Sequence, residues 1–176
     1  PPAALRPHRA GYLSAVHRYL IALGSNVRHA RFGRPEQVLT EALHALEASG
    51  LRVERAAPLI RSAPIGPSTR RYANSAAVVV SELEPDALLK RLKATERAFG
   101  RKRGGQRWAS RVLDLDIVLW SGGCWAAPDL TIPHREFRRR DFVLTPAVAI
   151  AAGWRDPLTQ LTLRQLHRRL NRPHRA

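Results

Sequence analysis

Methionine is absent from all 176 residues, position 1 included, and cysteine is reduced to Cys124. Residue 1 is therefore expected not to be a natural start. A single thiol excludes an intramolecular disulfide and a cysteine-built zinc site, so any metal must take oxygen or imidazole ligands. Long apolar runs are also missing: residues 76–80 and 144–152 fall well short of the roughly 20 needed for a membrane helix. Residues 1–18 hold no continuous apolar stretch ending in a cleavage site, so they do not read as a secretory signal. A cytoplasmic, soluble protein without membrane contact is expected. Acidic residues are scarce, 14 against 30 Lys and Arg, for a net charge of +16. Half of that excess sits at the ends, where residues 1–18 carry three Arg, residues 164–176 carry five, and neither stretch carries an acid. Two nucleotide fingerprints are missing, the G-x-x-x-x-G-K-[ST] loop and G-x-G-x-x-G, and Gly24-Ser25-Asn26 reads as a structural turn.

What remains is a chain 44% hydrophobic, enough for one domain with a sizeable core. Apolar and β-branched content predicts strands over 19–24, 72–80 and 111–120, and an edge strand within 51–60 interrupted by Pro58. A helix is predicted from Pro35 to Gly50 with Leu39, Leu43 and Leu46 on one face. A second runs from Pro85 to Gly100 with Leu88, Leu92, Thr95 and Phe99 buried. Further helices are expected over 138–151 and 162–170. The order β-α-β-β-α-β predicts an α+β, ferredoxin-like antiparallel sheet with both helices on one face, the other face free for a ligand, and C-terminal helical additions. The expected division is a poorly ordered basic extension at 1–18, a single domain at 19–170 and a basic tail at 171–176.

Residues 100–120 carry the chemistry. Asp114 and Asp116 are two apart on a strand and share a face, while Leu113, Leu115 and Ile117 point the other way. Such a pair is ordinarily solvated. Here, however, a Gly-bearing loop with Arg101, Lys102, Arg103 and Arg107 leads through Arg111 straight into it. Carboxylates to hold Mg²⁺ and cations to take phosphate oxygens are what a metal-bound triphosphate requires.

The run from Arg107 through Val118 resembles the signature of the 6-hydroxymethyl-7,8-dihydropterin pyrophosphokinases, enzymes of folate biosynthesis. Further similar blocks lie at residues 19–26, 61–67, 72–74 and 132–134, so the resemblance covers about residues 19–158. It implies transfer of pyrophosphate from ATP to the pterin hydroxymethyl group, assisted by two Mg²⁺ ions. It makes Asp114 and Asp116 the metal ligands and Arg101 and Arg111 the groups that assist transfer. Arg103, Trp108, Ile117, His134 and Arg140 would contact ATP, with Ile117 lining the adenine pocket. Ser62, Ala63, Ile65, Tyr72, Asn74 and Phe142 would form the pterin site, Tyr72 and Phe142 as stacking faces. The partners implied are those two small molecules, with no nucleic acid, and a monomer is expected. The chain departs from the family pattern at Ala109-Ser110, where Gly-Pro is usual, and at Ser62-Ala63, where Thr-Pro is usual. The competing reading is a basic, non-catalytic RNA-binding module of the same fold class, which predicts aromatic residues on the sheet.

Overall fold

The computed structural model describes residues 15–63, 71–100 and 112–172. Alternation in the first segment sends Tyr19, Ile21 and Leu23 to one side and Leu20 and Ala22 to the other, and it forms β1 (His17–Ser25). This strand starts two residues inside the stretch assigned to the basic extension. α1 (Pro35–Ala48) opens on its proline, with the Arg34 N–H donating to Gln37 Oε1 at 2.9 Å. Its buried face is Val38, Leu39, Ala42 and Leu46, so Leu43 lies at the margin of the stripe. α2 (Pro85–Ala98) buries Leu88, Leu92 and Thr95, with Phe99 just beyond its end. Gly50 at φ +89° and Gly100 at φ +87° follow the two helices, in a conformation that strains any residue with a Cβ.

The interrupted strand is two pieces, β2 (Arg52–Ala56) and β3 (Ile60–Ser62), parted around Pro58. Both pair antiparallel with β4 (Tyr72–Ser81). With β5 (Asp114–Trp120) the sheet runs β2-β4-β1-β5, every neighbouring pair antiparallel. Helix α1 links β1 to β2 across β4, and α2 links β4 to β5 across β1, which is the interleaved α+β order expected. A hairpin of two three-residue strands, β6 (Trp125–Ala127) and β7 (Leu130–Ile132), is too short to show a period in the sequence. The helix expected from residue 138 divides into a 3-10 turn at Phe137–Arg139 and α3 (Asp141–Ala151). α4 (Leu163–Leu170) is capped reciprocally: Thr162 Oγ1 accepts the Gln165 N–H at 3.2 Å, and Gln165 Oε1 accepts the Thr162 N–H at 2.9 Å.

Two apolar clusters lie on opposite faces of the sheet. Helices α1 and α2 close over Tyr19, Ile21, Leu23, Val79, Leu113, Leu115 and Ile117. Helices α3 and α4 close over Leu20, Ala76, Val78, Val118 and Leu119 with Val143, Leu144, Ala147, Leu163 and Leu166. The expectation of a free second face is therefore corrected to a half-covered one. Large apolar side chains at one end of that face demand burial, whereas at the other end Ala22, Gly24, Asp114 and Asp116 remain partly exposed. No described helix is long and apolar enough to cross a membrane.

Candidate active site

The open end of the sheet is built by register. Gly24 of β1 pairs with Asp114 of β5 on one side and Asn74 of β4 on the other; Ala22 pairs with Asp116 and Ala76. Directly paired residues share a face, so two carboxylates and a side-chain amide stand on the same surface with a floor of small residues between them. At about 4.8 Å per strand, Asp114 and Asn74 are separated by roughly 10 Å. The register continues outward: Ile60 pairs with Asn74 and Ser62 with Tyr72, placing Ser62 and Tyr72 on this surface too. Asn74 is 3% exposed and donates from Nδ2 to Ser62 Oγ at 2.8 Å, which orients its amide. Ala63 follows, exposed. Phe142 lies in the first turn of α3, half-buried against the second cluster, with the Arg140 guanidinium 5.9 Å from its ring centroid.

Asp116 keeps about a third of its side chain exposed. Desolvation first, and the Asp114 charge second, push its carboxyl above the ordinary range, against the opposing pull of His134 and Lys93. A carboxylate pair under that strain favours a cation. Among the described residues no group of three or more His, Cys, Asp or Glu could hold a metal. Two hard oxygen side chains on one face suit Mg²⁺, an ion that ordinarily takes its remaining positions from water or ligand oxygens.

His134, after the cis Ile132–Pro133 bond, runs along the outer edge of β5, its N–H donating to Val118 O at 3.0 Å. Burial lowers its imidazole pKa in spite of Asp116 nearby. Nδ1 accepts the Glu136 N–H at 3.2 Å, so the proton of the neutral ring sits on Nε2, which is 3.9 Å from Asp116 Oδ2. Ile117 is different: the whole residue is 2% exposed, in the cluster beneath the helices, on the face opposite the aspartates. Arg101, Arg103, Trp108, Arg111 and Ile65 lie outside the described residues, as do Ala109 and Ser110.

Sequence reasoning missed the support behind the carboxylates. Leu115, between the two aspartates, belongs to the outer strand and would have unpaired backbone groups at the edge. Glu96 of α2, fully buried, accepts its N–H at 2.8 Å and also takes the Lys93 ammonium at 2.9 Å, while Lys93 Nζ reaches Leu115 O at 3.5 Å. The signal was available: Glu96 continues the row Leu88–Leu92 at four-residue spacing, an acid where the pattern calls for an apolar residue. Glu96→Ala is expected to cost about 2 kcal/mol, because it strands a backbone donor and a lysine. Chemical denaturation checks this; an unchanged midpoint would rule out the clamp.

Among the described residues, an antiparallel sheet packed between helices carries a carboxylate pair and a fixed amide at one end of one face, a frame suited to a small group-transfer enzyme. The family model described as 7,8-dihydro-6-hydroxymethylpterin-pyrophosphokinase (HPPK) matches residues 20–152. The chain belongs to this family. It is 35% identical over 150 residues to a 2-amino-4-hydroxy-6-hydroxymethyldihydropteridine pyrophosphokinase of Synechocystis, covering 85% of this chain and 74% of that one. It is 36% identical to the protein of that name in Pseudomonas aeruginosa, covering 81% and 85%. The mitochondrial folate synthesis bifunctional protein of Arabidopsis thaliana is 38% identical over 136 residues, 77% of this chain but only 24% of its own length. Among solved structures, wild-type Plasmodium falciparum HPPK-DHPS superposes with a TM-score of 0.69 at 13% identity, covering 88% of this chain and 41% of that one, a likeness of fold.

Proposed function

We propose that this chain transfers pyrophosphate from ATP to the hydroxymethyl oxygen of 6-hydroxymethyl-7,8-dihydropterin, giving AMP and the dihydropterin diphosphate for folate biosynthesis. The observation that carries the reading is the register through Gly24, which sets the carboxylate pair and the Asn74 amide on one face of the sheet, in a chain of this family. Mg²⁺, as two ions, would supply neutralisation of phosphate charge and polarisation of the transferred group.

Asp114 and Asp116 hold the metal side of the site and face the acceptor oxygen. Arg101 and Arg111 take the charge that develops on the phosphates as the oxygen attacks the β-phosphorus and AMP departs. Arg103 and Trp108 cover the nucleotide. His134 offers an Nε2–H and Arg140 a guanidinium to ATP, and Ile117 contributes its backbone at the adenine edge. Asn74 hydrogen-bonds the pterin, Tyr72 and Phe142 stack on it, and Ser62, Ala63 and Ile65 border it. We expect residues 19–170 to act as one catalytic unit, in a cytoplasmic monomer. The RNA-binding alternative finds no support: the covered half of the sheet is aliphatic, the open half carries two acids, and the family is enzymatic.

Incubation with ATP, Mg²⁺ and the hydroxymethyl-dihydropterin is expected to release AMP in step with the diphosphate product. ADP alone, or no turnover, defeats the reading.

A further inference from the structure

Helix α3 begins without a cap of its own. Arg140 occupies the N-cap position and its side chain makes no capping hydrogen bond, although the spare N–H groups of a first turn ordinarily call for one. The next residue, Asp141, is held from another helix. Its Oδ1 accepts from Thr145 Oγ1 at 3.1 Å, one turn on, and from Nδ2 of Asn171, the C-cap of α4, at 2.8 Å. His167 Nε2, also of α4, lies 3.2 Å from the same oxygen and 3.0 Å from Thr145 Oγ1. Because the Thr145 hydroxyl gives its proton to Asp141, it accepts from the imidazole, which puts a ring proton on Nε2. Three donors, two of them from α4, therefore converge on one carboxylate oxygen.

These bonds do little for overall stability, since the Asp141 side chain is 54% exposed. What they fix is the direction in which α3 starts. On either side of Asp141 stand Arg140 and Phe142, with the guanidinium 5.9 Å from the ring centroid, so one stretch of backbone sets where both side chains begin. We infer that His167 and Asn171 are positioning residues for both substrates: acting through Asp141, they hold the uncapped turn so that Arg140 meets the nucleotide and Phe142 the pterin. Neither touches a substrate. The inference rests on the proposed function and gives α4 a part in it. A misplacement of about 1 Å at a group that holds substrate is enough to matter. The carboxylates stand on β5 rather than α3, so the loss falls on substrate binding and spares the chemical step.

The test compares wild type, His167→Ala, His167→Gln, Asn171→Ala and the double alanine variant for kcat, for KM of ATP and of the hydroxymethyl-dihydropterin, and for melting temperature. All rates are taken well below melting. Each single alanine variant is expected to raise both KM values about threefold and the double variant about tenfold, with kcat within about twofold of wild type, the pattern of lost binding common to ground and transition states. In His167→Gln the amide nitrogen takes the place of Nε2 and restores both KM values. Unchanged KM values in the folded double variant overturn the inference alone, as does a fall in kcat at constant KM. A glutamine variant no better than alanine overturns it too, since the donated hydrogen bond would then be irrelevant. Loss of the fold in Asn171→Ala and His167→Ala alike shows a structural role and overturns it as well. Absence of AMP-forming turnover in wild type overturns the proposed function together with this assignment.

Discussion

Asp116→Ala is expected to lower turnover at least about 10³-fold, roughly 4 kcal/mol of transition-state stabilisation, while leaving the protein as stable as wild type or more so. The loss follows from removing one of the two carboxylates proposed to hold the metal. The retained stability follows from electrostatics. Desolvation and the Asp114 charge both raise the Asp116 carboxyl above its ordinary range, so its ionised form is a burden on the folded state. Removing it relieves that repulsion and deletes no core apolar group. AMP release and thermal melting, measured on the same preparation, check the two halves. Full activity would reject Asp116 as a metal ligand, and unfolding would show it to be structural.

Asp156→Ala is expected to do the reverse, destabilising by about 3 kcal/mol and lowering the melting temperature by about 10 °C, without touching the open end of the sheet. Asp156 is fully buried in the turn between α3 and α4. Arg138 meets it through two bonds, Nε to Oδ2 at 2.7 Å and Nη2 to Oδ1 at 2.6 Å. Thr159 Oγ1 and the Leu158 N–H add two more, at 2.5 and 3.2 Å. Alanine leaves all four donors and the Arg138 charge without their acceptor. Burial, the largest single influence, pushes the Asp156 carboxyl up, but the Arg138, Thr159 and Leu158 hydrogen bonds and the Arg138 charge together hold it below the ordinary range. A depressed folded-state pKa contributes stability that is complete above the unfolded value near ~4 and disappears as pH falls through the folded one. The gap between wild type and variant should therefore be full at neutral pH and close in strong acid. Melting curves across that range test it; superimposable curves at neutral pH would exclude the role.

The strands and first two helices were legible because their periods are strong. Leu88, Leu92, Thr95 and Phe99 keep one face over the whole of α2, and Tyr19 to Leu23 alternate without exception. The α+β order followed from that pattern. The 3-10 turn at Phe137–Arg139 and the hairpin β6–β7 were not legible, since three residues span less than one helical turn and too little of a strand to alternate. Ile117 shows how far alternation alone reaches. Its neighbours Asp114 and Asp116 are on the open face, and by the same alternation its own side chain is in the core.

By itself the sequence determined the four longer strand segments and the first two helices, their order, and the placing of Asp114 with Asp116 on one face, because these depend on spacing along a single strand or helix. Only the tertiary structure decided what stands opposite them. Asn74 lies 40 residues before Asp114 and meets it across Gly24 through the register of two strand pairs. Glu96 supports the strand between the aspartates from another element altogether. Likewise, α3 and α4 close half of the second face because Leu20 and Val78 require burial there, while the small and charged residues at the other end do not. Contacts of that kind are set by the packing of whole faces, and no local pattern contains them.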